Sequence, residues 1–267
     1  MDFDVSLPII VFLVVCASVV LHRRFKSRIS SFIGEEKIAV KDVILLVVFV
    51  GTTTAAIAFI PNYAVQIMLI AAYSYMLFSL TYLTSKRVYL AVLPPLIFIL
   101  LYVFHWELSI FNLFAALFSV MVPVFLATLF SWRTTWIFAI LLTIMDVIHV
   151  YATGLMGVSA TKMLDLRLPV LFFVPAYPAE RFVGLGLGDT FLAGLLAIQT
   201  SIKEGFNAGI LTAATVSMVI FLFEFALFNI FVSQFFPATI AVISGWMMSL
   251  GITNLTYIVK KRNKIRA

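Results

Sequence analysis

The chain contains nine apolar segments, and each is close to the length that an α-helix needs to cross a membrane. A spanning helix takes about 20 mostly apolar residues. Because the hydrocarbon core offers no water to satisfy backbone polar groups, such segments must form helices. The sequence therefore predicts an all-α polytopic membrane protein. The nine predicted spans cover residues 5–21, 39–60, 63–84, 88–105, 109–130, 134–153, 182–201, 207–231 and 236–259.

The composition agrees with this prediction, since 63% of the residues are hydrophobic and only 11% are charged. Soluble domains average about 45–50% apolar and about 25% charged residues. The spans leave no room for a soluble domain of ordinary size, so residues 1–267 are predicted to form a single membrane domain. The net charge of +6 comes from basic residues at the ends of apolar runs, which indicates a role in orientation rather than nucleic-acid binding.

The basic residues are distributed unequally between the two sides of the predicted bundle. Fourteen of the 18 lysines and arginines fall in alternate connections and the C-terminal tail. The opposite side has only Lys162, Arg167 and Arg181. Because lysine and arginine are retained on the cytoplasmic side, we expect the N-terminus outside and the C-terminus in the cytoplasm. An odd number of spans satisfies this orientation.

The one long connection runs from residue 154 to residue 181. It contains Pro169, Pro175 and Pro178, and the apolar run 168–174 includes the first of these prolines and ends just before the second. That run is too short to span a membrane. We expect an interfacial or re-entrant piece, or a mobile gate, in this connection.

Four ionisable residues fall inside the predicted spans: Asp146, His149, Asp189 and Glu224. A charged side chain at the centre of a membrane helix costs at least about 2.5–3.5 kcal/mol. Such residues face the interior of a bundle or a water-filled path, where they serve a function. His149 and Glu224 are therefore candidates for lining such a path beside the two aspartates.

The two aspartates lie on helices that follow each other in the chain. On segment six, Thr143, Asp146, His149 and Thr153 form one helical stripe, which we expect to face the interior. Segment seven carries small residues around Asp189, and small residues let another helix approach closely. We expect the Asp189 face of segment seven to pack against the Asp146 face of segment six.

Two functions are compatible with a pair of interior carboxylates. If the pair meets, the two groups cannot both ionise cheaply and would share one proton. One could then activate a water while the other protonates a carbonyl or a leaving amine. That reaction needs no metal or cofactor, and Asp146 with His149 is too small a ligand set for a metal site. The alternative is a transporter or channel, coupled to ions or protons, that uses Asp146, Asp189 and Glu224 as its route.

Three short motifs in order along the chain resemble one known family. The stretch Gly186-Leu187-Gly188-Asp189 resembles the GxGD signature of intramembrane aspartyl proteases. The stretch that starts at Asp146 is similar to the first-aspartate motif of the same enzymes, and Pro237-Ala238-Thr239 resembles their Pro-Ala-Leu turn. The chain thus resembles the presenilin and signal peptide peptidase family in its compact microbial form, over essentially its whole length.

The resemblance implies a presenilin-like fold and an aspartic endopeptidase that cleaves transmembrane segments or signal-peptide remnants within the lipid bilayer. It implies that Asp146 and Asp189 are catalytic, without a metal or cofactor. It also implies that Gly186 and Gly188 let the backbone approach Asp189 closely. No nucleic-acid partner is expected, and self-association into a homo-oligomer is left open.

The resemblance also covers residues that shape the site. Pro237 and Ala238 would form a turn beside the aspartates. A substrate helix would be opened locally and paired with an exposed backbone edge, for which the run 168–174 and the stretch before Pro237 are candidates. The sequence departs from the family at Met145, where a tyrosine is usual, and at Thr239, where leucine is usual. Both departures concern substrate positioning and rate, because both aspartates are retained.

Overall fold

The structure is a computed structural model that describes residues 3–33, 37–178, 182–230 and 236–266. Ten α-helices, one π-helical turn and two β-strands lie in these ranges. In chain order the elements are α1 (Ser6–Ile33), α2 (Val40–Ile57), α3 (Asn62–Ser85), α4 (Val88–Phe104), α5 (Leu108–Leu129), α6 (Trp132–Val147), the π-helical turn (Ile148–Ala152), α7 (Leu155–Asp165), β1 (Leu171–Pro175), β2 (Phe182–Gly186), α8 (Leu187–Glu204), α9 (Phe206–Asn229) and α10 (Ala238–Arg266).

The chain is a membrane-embedded helical protein. Within the described ranges, seven helices are long and apolar enough to cross a membrane: α1, α2, α3, α5, α6 with its π-helical turn, α9 and α10. Helix α4 is apolar but has only 17 residues. Helix α8 has 18 residues and is not among the seven.

Several predicted boundaries are wrong. Helix α1 continues to Ile33 instead of ending near residue 21, so the basic residues Arg23 to Arg28 lie on its last turns. The predicted seventh segment starts as a strand, and its helix begins only at Leu187. The connection 154–181 contains helix α7 and strand β1, although its last three residues, including Arg181, lie outside the described residues.

A two-stranded antiparallel sheet makes the prediction of an all-α chain incomplete. Leu171 of β1 pairs with Gly186 of β2, and the register continues to Pro175 with Phe182. The sequence Leu-Phe-Phe-Val of β1 consists of large and β-branched residues, which favour a pleated, half-buried surface. In β2 the exposed and buried positions alternate, with Val183 and Leu185 buried. The sheet therefore rests with one face on the helices.

Helix α8 lies at the centre of the bundle, and every residue from Leu192 to Thr200 is buried. A Cβ atom at Gly194 would lie only 2.8 Å from Pro123 Cγ of α5, so the absence of a side chain at Gly194 allows α5 to pack closely. Thr190 on the same side exchanges a 3.0 Å hydrogen bond with Ser119 of α5. The side of α8 that carries Thr190 and Gly194 therefore packs against α5, and α8 also contacts α6, as expected for the helix that carries Asp189.

The basic turns meet at one end of the bundle. Arg23 of α1 lies 5.2 Å above the ring of Phe206, which opens α9. Lys203 at the end of α8 lies 4.1 Å above the ring of Trp132, which opens α6. Strand β2 leads directly into the other end of α8. Asp189, in the first turn of α8, therefore lies toward the end of the bundle opposite these basic residues.

Candidate active site

Asp146 is placed by helix α6 one residue before the regular helix ends. The helix starts at Ser131, whose hydroxyl accepts a 3.2 Å hydrogen bond from the backbone N–H of Thr134 as an N-cap. Asp146 is 6% exposed and therefore buried. The backbone then changes to the π-helical turn at Ile148, and single π-helical turns inside α-helices frequently occur at functional sites.

Asp189 lies in the first turn of helix α8, immediately behind strand β2. Gly186 is the N-cap residue with an extended backbone, and the helix follows from Leu187. The first turn of a helix favours a negative charge because unpaired N–H groups point outward there. Asp189 is 5% exposed, so its carboxylate is as well buried as that of Asp146.

The glycines of the motif do not have the same steric role. A Cβ atom at Gly186 would lie 3.1 Å from Asp189 Oδ2, which is tighter than ordinary contact. At Gly188 the nearest atom would be a ring carbon of Phe191 at 3.8 Å, an ordinary contact. The expected close approach to Asp189 therefore occurs at Gly186, whereas nothing in the described surroundings of Gly188 requires a glycine.

The structure brings the two aspartates together. Helices α6 and α8 contact each other, and the two aspartates are near enough for the charge of Asp146 to act on Asp189. Both groups are buried, and Coulomb interactions are stronger there than in water. Two carboxylates that interact in a buried environment cannot both ionise cheaply.

Helix α10 contributes a hydrogen-bond donor to this pair. Thr239 Oγ1 donates a 2.7 Å hydrogen bond to Asp146 Oδ2, and Thr239 is itself buried. Pro237 is buried just before the helix and its carbonyl accepts a hydrogen bond from the N–H of Ile240, which forms the first turn. Ala238 is half-buried between them. The sequence predicts Thr239 only as a poorer replacement for leucine, whereas the structure gives its hydroxyl a partner.

Met145 and His149 are turned toward helix α2. Any Cβ atom at Gly51 of α2 would collide with Met145 Sδ and would lie 3.5 Å from His149 Cε1. Both side chains are half-buried, and a charge on His149 would act on Asp146. The stripe expected on the sixth segment is only partly interior, because Thr153 is exposed.

Strand β1 is occupied on both of its edges. Just beyond the paired strands, the N–H of Leu187 donates a hydrogen bond to the carbonyl of Val170. In an antiparallel pair, opposite residues alternate between those that bond to each other and those whose N–H and carbonyl groups point away, so this bond identifies which residues are of each kind. By this alternation the backbone groups of Phe173 point away from β2, and both are bound by the side-chain amide of Asn112 on α5, at 2.8 and 3.0 Å. The run 168–174 is therefore not the exposed edge that was expected.

The open edge belongs to β2. In the same ladder Gly184 stands opposite Phe173, so its N–H and carbonyl groups point away from β1. Gly184 is exposed and lies five residues before Asp189. The other candidate edge, the stretch just before Pro237, falls mainly on residues 231–235, which lie outside the described residues.

Asp4 is a further buried acid that the sequence prediction misses, because it lies ahead of the first apolar run. Its carboxylate accepts hydrogen bonds from the N–H groups of Ser6 and Leu7 and so caps helix α1. It also accepts a 2.9 Å hydrogen bond from Tyr177 N–H, and Val5 N–H donates to the Tyr177 carbonyl. The start of the chain is thereby fixed to the segment that links the two strands.

The electrostatic interaction described for Glu224 is with Asp4. Glu224 is half-buried on helix α9. In the described part of the chain, no three His, Cys, Asp or Glu side chains are grouped as a metal site would require.

A scan against protein-family models finds no matching family, and a search of curated proteins finds no similar protein.

Proposed function

We propose that the chain is an intramembrane aspartic endopeptidase of the presenilin and signal peptide peptidase type. The observation that carries the proposal is the pair of buried carboxylates, Asp146 on α6 and Asp189 on α8, whose charges interact. We further propose a presenilin-like fold with nine spans, in which α4 and α8 cross the membrane together with the seven longer helices.

The proposed chemistry divides the work between the two acids. A hydroxyl that donates to a carboxylate favours its ionised form, so Thr239 supports Asp146 as the group that activates the water. Asp146 takes a proton from the attacking water, and Asp189 delivers the shared proton to the carbonyl oxygen. When the tetrahedral intermediate breaks down, Asp146 passes its proton to the leaving amine and one hydroxyl of the intermediate returns a proton to Asp189. All groups needed for peptide-bond hydrolysis are side chains of this chain, and water supplies the nucleophile.

A substrate helix has to expose its peptide bonds before either carboxylate can reach them. The outward backbone groups of Gly184 offer hydrogen bonds to an extended strand, which is β-augmentation of an existing sheet. Because β2 leads directly into the turn of Gly186 and Asp189, a strand added there would run toward the carboxylates. This proximity supports β2 as the element that holds the opened substrate.

The proposed location follows from the apolar helices and the basic turns. The substrates would be transmembrane segments of other proteins or remnants of signal peptides, reached from the lipid bilayer. With the C-terminus in the cytoplasm, a substrate whose own N-terminus is cytoplasmic would be preferred. An autonomous protease, as a monomer or a homo-oligomer, is the simplest arrangement for a chain with so little mass outside the membrane.

The test is cleavage of a transmembrane peptide by the purified full chain in detergent. The wild-type protein is expected to release two fragments, and Asp146→Ala and Asp189→Ala are each expected to release none. Inhibition by a peptide mimic that carries a hydroxyl at the scissile position would agree with this chemistry. If the wild type releases no fragments, or if either variant cleaves as well as it does, the proposal fails and a transport route through the acidic residues becomes the better explanation.

A further inference from the structure

A cavity of about 470 Å³ lies between strand β2 and helices α9 and α10. Its walls are mostly apolar and include Val183, Ile220 and Phe223. Gly184 lies on one side, so the outward edge of β2 opens into the cavity. Ala238, the neighbour of Thr239, lines it as well. The cavity is therefore adjacent to the carboxylate pair without being part of it.

Glu224 is the one acidic residue among the described residues that line this cavity. Its Oε2 atom is buried and has no hydrogen-bond partner among the described residues. Leaving a buried polar atom without a partner is unfavourable, and most such atoms in proteins are satisfied. A residue of this kind on the wall of a cavity fits a ligand that brings a donor.

The charge around Glu224 favours a cation over a neutral donor. Asp4 acts on Glu224 electrostatically, and its carboxylate accepts N–H groups from Ser6, Leu7 and Tyr177. A positively charged group that enters the cavity would therefore be attracted by both acids. The stem of a lysine or arginine is apolar and suits the walls, while its head group suits Glu224.

We propose that this cavity is a specificity subsite that binds a basic side chain of the substrate through Glu224. The inference rests on the proposed protease function. A substrate strand paired with Gly184 would lie along the cavity, and alternate side chains of a strand point to the same face. One such side chain would then meet Glu224, so a lysine or arginine at that one position relative to the cleaved bond would be preferred.

The experiment uses two series of transmembrane peptides that differ at one position at a time. Each position within about six residues of the cleaved bond, roughly two turns of the original helix, carries either leucine or lysine. The ratio of kcat/KM for the lysine peptide to that for the leucine peptide is measured at each position. The measurement uses the full-length wild type, Glu224→Gln and Glu224→Lys, with Met218→Leu as a control on an exposed position of the same helix. Because the ratio compares two substrates on one protein, it does not depend on how much of a variant is folded.

The wild type and Met218→Leu are expected to prefer lysine at one position by about ten-fold or more, as a site built around a polar partner does. Glu224→Gln is expected to lose that preference, and Glu224→Lys is expected to reverse it, so that the leucine peptide is cleaved faster than the lysine peptide at that position. Equal ratios in the wild type and in Glu224→Gln, with cleavage intact, would overturn the subsite alone. If the wild type cleaves no peptide of either series, the proposed protease function fails and the subsite fails with it.

Discussion

The hydroxyl of Thr239 lies 2.7 Å from Asp146 Oδ2 and donates a hydrogen bond to it, which joins the first turn of α10 to the end of α6. Both residues are buried, so no water replaces this donor easily. The bond orients one carboxylate of the pair and stabilises its charge. Thr239 therefore belongs to the candidate site.

Replacing Thr239 by valine should slow cleavage while leaving the fold intact, because valine has the same shape without the hydroxyl. A hydrogen bond to a charged group contributes about 1.5–3 kcal/mol, so kcat should fall by about 10- to 100-fold. Thr239→Ser keeps the hydroxyl and should retain most of the rate. Initial rates at saturating peptide provide the measurement. A valine variant as fast as the serine variant would show that the hydroxyl does not act on the reaction.

Replacing Asn112 by leucine should loosen strand β1. The change leaves the N–H and carbonyl groups of Phe173 without their partner, and each unpaired group costs about 1–3 kcal/mol where it is buried. We expect faster hydrogen exchange at the Phe173 amide and slower substrate cleavage, because β1 supports β2. Asn254→Leu, an exposed position on α10, is the matched control and should change neither quantity. Unchanged exchange at Phe173 would contradict the role of Asn112.

Alanine substitutions at two glycines of α10 are expected to have opposite effects on stability. A Cβ atom at Gly245 would lie 2.5 Å from the backbone Cα of Val216 on α9, whereas a Cβ at Gly251 meets nothing within 4 Å. Overpacking of this kind typically costs about 1–3 kcal/mol. Gly245→Ala should therefore lower the free energy of unfolding in detergent micelles, and Gly251→Ala should preserve or raise it. If both variants unfold alike, the close contact of α9 with α10 is wrong.

The apolar segments of the sequence predict the helical membrane protein well, because a membrane permits few alternatives for a long apolar run. The number of spans stays a prediction, since α4 and α8 are short or less apolar. The strands are missed for a physical reason. The sequence around Val183 is apolar and runs without a break into the next helix. The spacing of apolar residues and their hydropathy do not distinguish a short buried strand from a helix there.

The sequence also selects Asp146 and Asp189, because acids inside apolar runs are conspicuous. It does not reveal which groups support them. The partnership of Asn112 with Phe173 spans 61 residues, and that of Asp4 with Tyr177 spans 173. No local pattern encodes such pairs, so they become visible only in the folded chain. The hydroxyl of Thr239 is the one such feature that the sequence marked, since it interrupts a motif.

The orientation of the chain is a separate prediction. A protease-sensitive tag after Ala267 should be protected in intact cells and become accessible only after the membrane is permeabilised, because the basic turns are expected on the cytoplasmic side. A tag placed before Met1 should behave in the opposite way. Accessibility of the C-terminal tag from outside would contradict the orientation and the substrate preference derived from it.

If Asp146 and Asp189 act as one catalytic unit, as we propose, a double-mutant comparison of cleavage rates will reveal it. Residues that act as a unit show strongly non-additive effects, so each single change removes nearly everything that the pair contributes. Asp146→Asn, Asp189→Asn and the double variant should all cleave a transmembrane peptide at the same background rate, well below the wild type. A single variant that retains cleavage clearly above the double variant would contradict the account.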